Sequence, residues 1–202
     1  WMADGANGEV AMNYTFKKAD EGWKALSVYR FKRFEQEVYY REAWLRNDTD
    51  IEFQLADILL PDGVLRVDKA MSVNPVEAHL GHYALPHLTN TIKEKTIKKH
   101  GYTAYVIENE KHQLAMVPLY GWKEVGFEHT SGLHPESDEC TVLNAKEIFT
   151  GEKIFVTLLL WNKAGTKVDN KRLFPVKDVL VSHDKKSVTV LLNDGTRKEV
   201  VW

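Results

Sequence analysis

The spacing of strand-like segments is the feature that most constrains the fold of this chain. These segments alternate apolar and polar residues, and turn residues separate them about every 8 to 12 positions. Turn signals include NDTD at 47–50 and Asp194–Gly195, which lies between two alternating runs and predicts a hairpin. More than ten candidate strands fit into the 202 residues. We therefore predict an all-β fold, and this number of strands favours a large two-sheet antiparallel β-sandwich over a small barrel.

The most apolar segment, IFVTLLLW at 154–161, should be a core strand that is buried on both faces. Only short helices are expected, and TVLNAKEIF at 141–149 is the best candidate. No repeat or linker interrupts the pattern, so residues 1–202 are interpreted as a single β-sandwich domain. The chain fits either a whole protein or one module of a larger one.

Charge and composition exclude several classes of partner. The net charge is −2, and the densest basic run, at 93–99, alternates like the solvated face of a strand. Nucleic acid and anionic membranes require a clustered basic surface, so neither is expected as a partner. No apolar run approaches the roughly 20 residues that span a bilayer. We also find no charged segment followed by an apolar one, and hence no signal-peptide pattern.

The single cysteine, Cys140, excludes a disulfide within the chain. It lies close to Glu136, Asp138 and Glu139, whose negative charge disfavours a thiolate. Cys140 is therefore a poor candidate for a nucleophile.

Residues 74–90 stand out because they hold three of the eight histidines in a chain of strands. Pro75, Pro86 and Gly81 argue against one long helix in this stretch. We predict a loop with a short helical or extended piece around 78–85.

The three histidines, His79, His82 and His87, raise the question of a divalent metal. Neutral imidazoles are good zinc ligands, and His134 or a carboxylate would complete such a site. The spacing matches no established metal motif, however. The alternative is a loop whose histidines form hydrogen bonds only, and we expect no metal and no other cofactor.

A second polar stretch, at 121–139, contains GLHPES, in which Gly132 and Pro135 hold His134 in a fixed turn. A positioned histidine beside Glu136 suits general acid–base catalysis, with His82 as the partner acid or base. A purely structural turn explains the same residues.

Aromatic side chains offer flat faces on which sugar rings can stack, although they also build β cores. Trp161, inside an apolar run, is expected in the core, whereas Trp122 lies among polar residues and is the best platform for a sugar. The candidates for ligand binding are Trp44, Tyr83, His87 and Trp122, with Tyr120 as a further aromatic.

Three segments together resemble a known family: HYALPHL, GYTAYVIENEKHQLAMVPLYGW and GLHPES. They are similar to the β-sandwich module of bacterial heparinase II/III-like polysaccharide lyases, which belongs with the galactose mutarotase-like supersandwich. Over residues 23–202 the resemblance consists of the pattern of strands. Specific sequence similarity is confined to residues 79–137. The resemblance implies a polysaccharide partner. It also implies a periplasmic or secreted location, although the sequence does not exclude a cytoplasmic one. The helical toroid of such lyases is absent from this chain.

Three functions remain open at this point. The first is a carbohydrate-associated domain that serves as a binding or accessory module for a polysaccharide-processing system. The second is an enzyme on the same fold, a sugar epimerase or a polysaccharide lyase or hydrolase, that uses His82, His134 and Glu136. The third is a structural domain that packs against a partner domain or a second copy. A concave polar pocket favours the first two, and a large exposed apolar patch favours the third.

Overall fold

The computed structural model describes the backbone of residues 9–10, 14–18, 22–32, 38–45, 51–60, 63–84, 93–108, 112–130, 140–163 and 170–202. Side chains are described for residues 52, 54–60, 63–75, 93–108, 113–127, 129, 144–160 and 172–202.

Within these residues the chain forms fourteen strands and one short helix. The strands are β1 (Glu9–Val10), β2 (Tyr14–Lys18), β3 (Gly22–Lys32), β4 (Val38–Leu45), β5 (Ile51–Leu60), β6 (Gly63–Ala84), β7 (Lys93–Lys99), β8 (Tyr102–Glu108), β9 (His112–Tyr120), β10 (Glu124–Thr130), β11 (Cys140–Lys163), β12 (Val176–Val181), β13 (Ser187–Leu192) and β14 (Arg197–Val201), and the helix is α1 (Asn170–Leu173). Eleven strands form one sheet and β12, β13 and β14 form a second. Each of the described strand pairs is antiparallel, so the all-β sandwich prediction is confirmed.

Two long strands, β6 and β11, form the centre of the large sheet. They pair from Gly63–Leu160 at one end to Ala84–Thr141 at the other. At the first end they are flanked by β5 and β9, and at the second by β2 and β10. The two strands therefore connect all the other strands of the large sheet.

The small C-terminal sheet covers one face of the large sheet. Alternate residues of the central strands, such as Leu65, Val67 and Leu158, form a single core cluster with Val188 and Val190 of β13. Burial of each such side chain contributes about 1.5–3 kcal/mol. The run 154–160 is buried throughout, which confirms that this segment is a core strand covered on both faces.

The opposite face of the large sheet carries a row of buried polar side chains. Asp57 pairs with Arg66 across β5 and β6, and Arg66 pairs with Thr157 across β6 and β11. All three are at most 2% exposed, and Arg66 is among the largest fully buried side chains. Arg66 Nε lies 3.7 Å from Asp57 Oδ1, so the guanidinium and the carboxylate compensate each other's charge.

The strand β10 packs over the β7–β8 hairpin. Phe127 meets Tyr105 edge to face with ring centroids 5.7 Å apart, and His129 Nε2 lies 2.7 Å from Glu94 Oε1. Tyr105 and Glu94 belong to the hairpin, so an aromatic and a polar contact join β10 to it.

The prediction of a loop at the start of residues 74–90 is wrong, because β6 continues to Ala84. Of the two options predicted for the piece around 78–85, the extended one is confirmed for residues 78–84. The pairing steps from Ser72–Gly151 to Val76–Phe149, so three residues of β6 lie against one residue of β11. Pro75 lies in this bulge, where a missing backbone N–H removes no hydrogen bond from the ladder. The predicted loop residues 85–90 lie outside the described residues.

The predicted helix at 141–149 is also wrong, since these residues belong to β11. Thr141, Val142 and Ile148 have β-branched side chains that suit a strand. Pairing with β6 on one side and β10 on the other decides the conformation, because tertiary contacts override a weak local preference.

His100 and Gly101 have φ angles of 53° and 81° and form the turn of the β7–β8 hairpin. The predicted hairpin turn at Asp194–Gly195 is confirmed, since Gly195 has a φ of 88° between β13 and β14. The first hairpin presents β7 at the edge of the large sheet, with Lys93, Lys95 and Lys98 exposed. The basic run at 93–99 is therefore a solvated edge strand, as predicted.

Gly63, at the start of β6, leaves no room for a side chain. An added Cβ would lie 2.1 Å from the backbone oxygen of Leu159. We expect Gly63→Ala to lower the free energy of unfolding by about 2 kcal/mol or more, because the central strands must separate to admit the methyl group. Urea unfolding followed by circular dichroism measures this. Gly126→Ala is the matched control, since Gly126 has open space around it, and equal losses in the two variants would contradict the prediction.

Candidate functional site

Trp122 lies in the connection between β9 and β10, on the turn that begins at Gly121. Gly121 has a φ of 89°, and an added Cβ would lie 2.1 Å from the carbonyl oxygen of Ile154. Only glycine accommodates both the left-handed backbone and this close approach to β11. The turn therefore brings Trp122 directly onto the surface of β11.

The indole of Trp122 is held by two residues of β11. Its ring stacks on Phe155, with centroids 4.1 Å apart and planes 26° from parallel. Its Nε1–H donates a hydrogen bond of 2.8 Å to Thr157 Oγ1. Phe149 meets Phe155 edge to face from the other side of the bulge, at 5.8 Å. The half-buried tryptophan thus packs against two phenylalanines of β11 in one aromatic cluster.

Trp122 lines an open groove with a volume of about 500 Å³. Three parts of the chain form it: the β9–β10 connection, the β11 residues on both sides of the bulge, and the turn between β12 and β13 with the end of β12. The lining residues are Tyr120, Gly121, Trp122, Lys123, Glu147, Glu152, Lys153, Ile154, Val181 and Lys185. A volume within the range of about 300–1,000 Å³ is typical of sites for small organic ligands.

Charged side chains of both signs surround the aromatic part of this groove. Lys153 Nζ lies 2.9 Å from Glu147 Oε1, and Lys69 Nζ lies 3.2 Å from Glu152 Oε1. Glu147 and Lys69 are the most buried of these groups, each with 12% of its side chain exposed. The pairs hold donors and acceptors at fixed positions around Trp122, which suits the recognition of a hydroxyl-rich ligand.

The turn between β12 and β13 forms one wall of the groove and is ordered by its own hydrogen bonds. Asp184 Oδ1 accepts from the Ser182 hydroxyl at 2.8 Å and from the Lys186 backbone N–H at 3.1 Å. These bonds hold the pKa of the Asp184 carboxyl below its usual value. Lys185 has a φ of 54°, and its Nζ donates to the carbonyl oxygen of Glu152 at 2.6 Å. The small sheet is thereby fixed to β11 beside the groove.

Of the residues predicted from sequence, Trp122 is the one whose side chain is described in this groove, together with Tyr120. His79, His82 and Tyr83 lie on β6, where the Cα partner of His82 is Leu143, and Trp44 lies on β4. Their side chains are outside the described set. His87, His134 and Glu136 lie outside the described residues. The roles of these residues in catalysis and ligand binding therefore stay predictions.

Among the described residues, no group of histidine, cysteine, aspartate or glutamate side chains has the arrangement of a metal site. The hypothesis of a metal site at His79, His82 and His87 stays a prediction, because the structure does not describe these side chains. No helix of the described residues is long and apolar enough to cross a membrane.

The charged lining of the groove was missed by sequence reasoning. Thr150-Gly151-Glu152-Lys153 looks like a turn between two elements, whereas it lies within the single strand β11, beside the bulge in its pairing with β6. Gly151, with a φ of 74°, lies at that bulge and was the available signal. Glu147 and Lys185 are brought together only by the packing of the two sheets, which no local pattern reveals.

Comparison with known proteins gives similarity at the level of fold. No family model and no curated protein sequence matches the chain. Two structures of heparan sulfate lyase HepC from Pedobacter heparinus, one of them a mutant, align with TM-scores of 0.52 and 0.53 at 10% and 11% identity. Each alignment covers 86% of this chain and 28% of the lyase. A heparinase III gene product with methylated lysines aligns with a TM-score of 0.53 at 9% identity, over 86% and 27%.

These alignments show that the chain shares the fold of one part of polysaccharide lyases. The chain spans less than a third of the length of those proteins. The expected likeness to the β-sandwich of carbohydrate-active proteins is confirmed at this level.

The ordered turn predicts a pH-dependent contribution of Asp184 to stability. Because the folded-state pKa lies below that of the unfolded chain, this contribution is present above the unfolded-state value and is lost as pH falls through the folded-state value. We expect Asp184→Ala to be less stable than the wild type above about pH 5, and the difference to shrink in stronger acid. Urea unfolding over a range of pH measures it.

Asp184→Asn is the matched control, because an amide oxygen accepts hydrogen bonds but does not titrate in this range. The difference in unfolding free energy between the Asn and Ala variants should not depend on this titration. If the difference in unfolding free energy between the wild type and Asp184→Ala stays constant with pH, the role of the ionised carboxylate is contradicted.

Proposed function

We propose that this chain is a carbohydrate-associated β-sandwich domain that acts as a binding or accessory module in a polysaccharide-processing system. The observation that carries the proposal is Trp122, half-buried and held flat in a groove that charged pairs surround. The apolar face of a sugar ring packs on such an aromatic surface, while its hydroxyl groups need polar partners at the rim.

The geometry of Trp122 supports a binding site more than a purely structural role. Phe155 covers one face of the indole, which leaves the other face as the one that can meet a ligand. A tryptophan that served only the core would be fully covered, whereas this one borders open space. Rigid aromatic anchors of this kind carry much of the free energy of recognition, because little side-chain entropy is lost on binding.

The shared fold supports the same proposal and fits a modular role. Heparan sulfate lyase HepC is a larger protein of which the alignment with this chain covers 28%. A domain of this size suits substrate binding beside a separate catalytic part. The proposal also includes the roles of Trp44, Tyr83 and His87 as further contacts for the carbohydrate.

An array of immobilised neutral and acidic polysaccharides tests the function, with the purified chain as the probe. We expect binding to at least one class, and Trp122→Ala should weaken it by about tenfold or more, the loss typical of an aromatic anchor. Isothermal titration calorimetry on the strongest hit gives the affinity, and near-ultraviolet circular dichroism checks that the variant is folded.

The matched control is Trp202→Phe, which replaces a tryptophan at the C-terminus that packs against the core and does not line the groove, and keeps an aromatic ring in that contact. It should leave the affinity unchanged. An array without any hit would refute the carbohydrate function. Unchanged binding by Trp122→Ala would instead refute the assignment of the site to this groove.

A further inference from the structure

The indole N–H of Trp122 points into the protein rather than into the groove. It donates to Thr157 Oγ1 at 2.8 Å, and Thr157 is only 2% exposed. A tryptophan at a water-filled groove can satisfy its single donor with solvent or with a ligand. Here the donor is already used by a buried acceptor that does not line the groove.

Two residues on the same face of β11 together define the orientation of the ring. Stacking on Phe155 fixes the plane of the indole, with ring planes 26° apart. Stacking alone leaves rotation within that plane, and the hydrogen bond to Thr157 removes it. Phe155 and Thr157 are two positions apart on one strand, so both face the same side of the sheet.

Thr157 belongs to the row of buried polar residues on that face. It pairs across the strands with Arg66, and Arg66 pairs with Asp57. The guanidinium and the carboxylate are 2% and 0% exposed. Separating a buried ion pair leaves both charges uncompensated, so the row formed by Asp57, Arg66 and Thr157 resists displacement. The hydroxyl group is therefore held at a fixed position relative to the groove.

We propose that Thr157 is a positioning residue for the ligand groove and that it sets which face and which edge of Trp122 a ligand meets. The proposal rests on the proposed carbohydrate function. It has a consequence for specificity, because Trp122 offers the ligand a ring face and no hydrogen-bond donor. Polar recognition then falls to groups at the rim, among them Lys123 and Glu147.

The test uses the full chain labelled with ¹⁵N on its six tryptophan indoles. The Nε1–H signal of Trp122 is assigned by its disappearance in Trp122→Phe. In Thr157→Val the side chain keeps its shape but loses the acceptor, so we expect this signal to move upfield and to exchange faster with water. Thr157→Ser restores the hydroxyl group and should restore the signal. Thr189→Val, on β13 and away from the groove, is the matched control.

Affinity for a heparan sulfate octasaccharide and for cellohexaose is measured on the same proteins by calorimetry. For whichever probe binds the wild type, Thr157→Val should weaken binding roughly threefold to tenfold, the range for one lost hydrogen bond, and Thr157→Ser should recover most of it. Where Thr157→Val does not fold, Thr157→Ala removes the same acceptor without adding bulk and supplies the same readouts.

An unchanged Trp122 signal in Thr157→Val would overturn the proposal, whatever the binding result. A displaced signal with unchanged affinity would overturn the link between ring orientation and recognition. A displaced signal in a protein whose wild type binds neither probe supports the positioning of the ring and counts against the carbohydrate function. The two proposals therefore fail in different ways.

Discussion

The antiparallel pairing of β6 with β11 is the constraint on which the rest of the structure depends. Its register, from Gly63–Leu160 to Ala84–Thr141, determines which side chains lie on each face of the large sheet. One face is apolar and accepts the C-terminal sheet, and the other carries Asp57, Arg66 and Thr157. Gly63 permits the close contact with Leu159 at one end of the pair. The bulge beside Gly151 lies between the groove residues Glu147 and Glu152 of β11, so the same pairing builds both the core and the site.

The site shows how a core residue and a surface residue can depend on each other. Phe155 belongs to the buried part of β11, yet its ring is the support for Trp122 at the edge of open space. Thr157 provides the hydrogen bond from the same buried face. Lys185 reaches the same strand from the second sheet. Contacts from two layers thus converge on a few residues of β11, and this convergence is the physical basis for a groove of defined shape.

The sequence predicted the class of fold because period-two alternation and turn residues are local signals. Asp194–Gly195 and the run 154–161 were interpreted correctly for that reason. The errors at Pro75 and at 141–149 have one cause, since a long bulged strand looks locally like a break or a helix and only its partners reveal it. In the site, Trp122 was predicted from its polar neighbours. Glu147, Lys153 and Lys185 were not, because they meet through contacts between strands and sheets that are distant in sequence.

The lysines on β7 affect whether copies of this chain can associate through the edges of their sheets. An edge strand presents unpaired backbone groups to which a second chain can add. Exposed Lys93, Lys95 and Lys98 would bring like charges together if two such edges met, and the large sheet therefore ends at this strand. At high local concentration this like charge opposes the addition of one sheet to another, so neighbouring copies stay separate molecules.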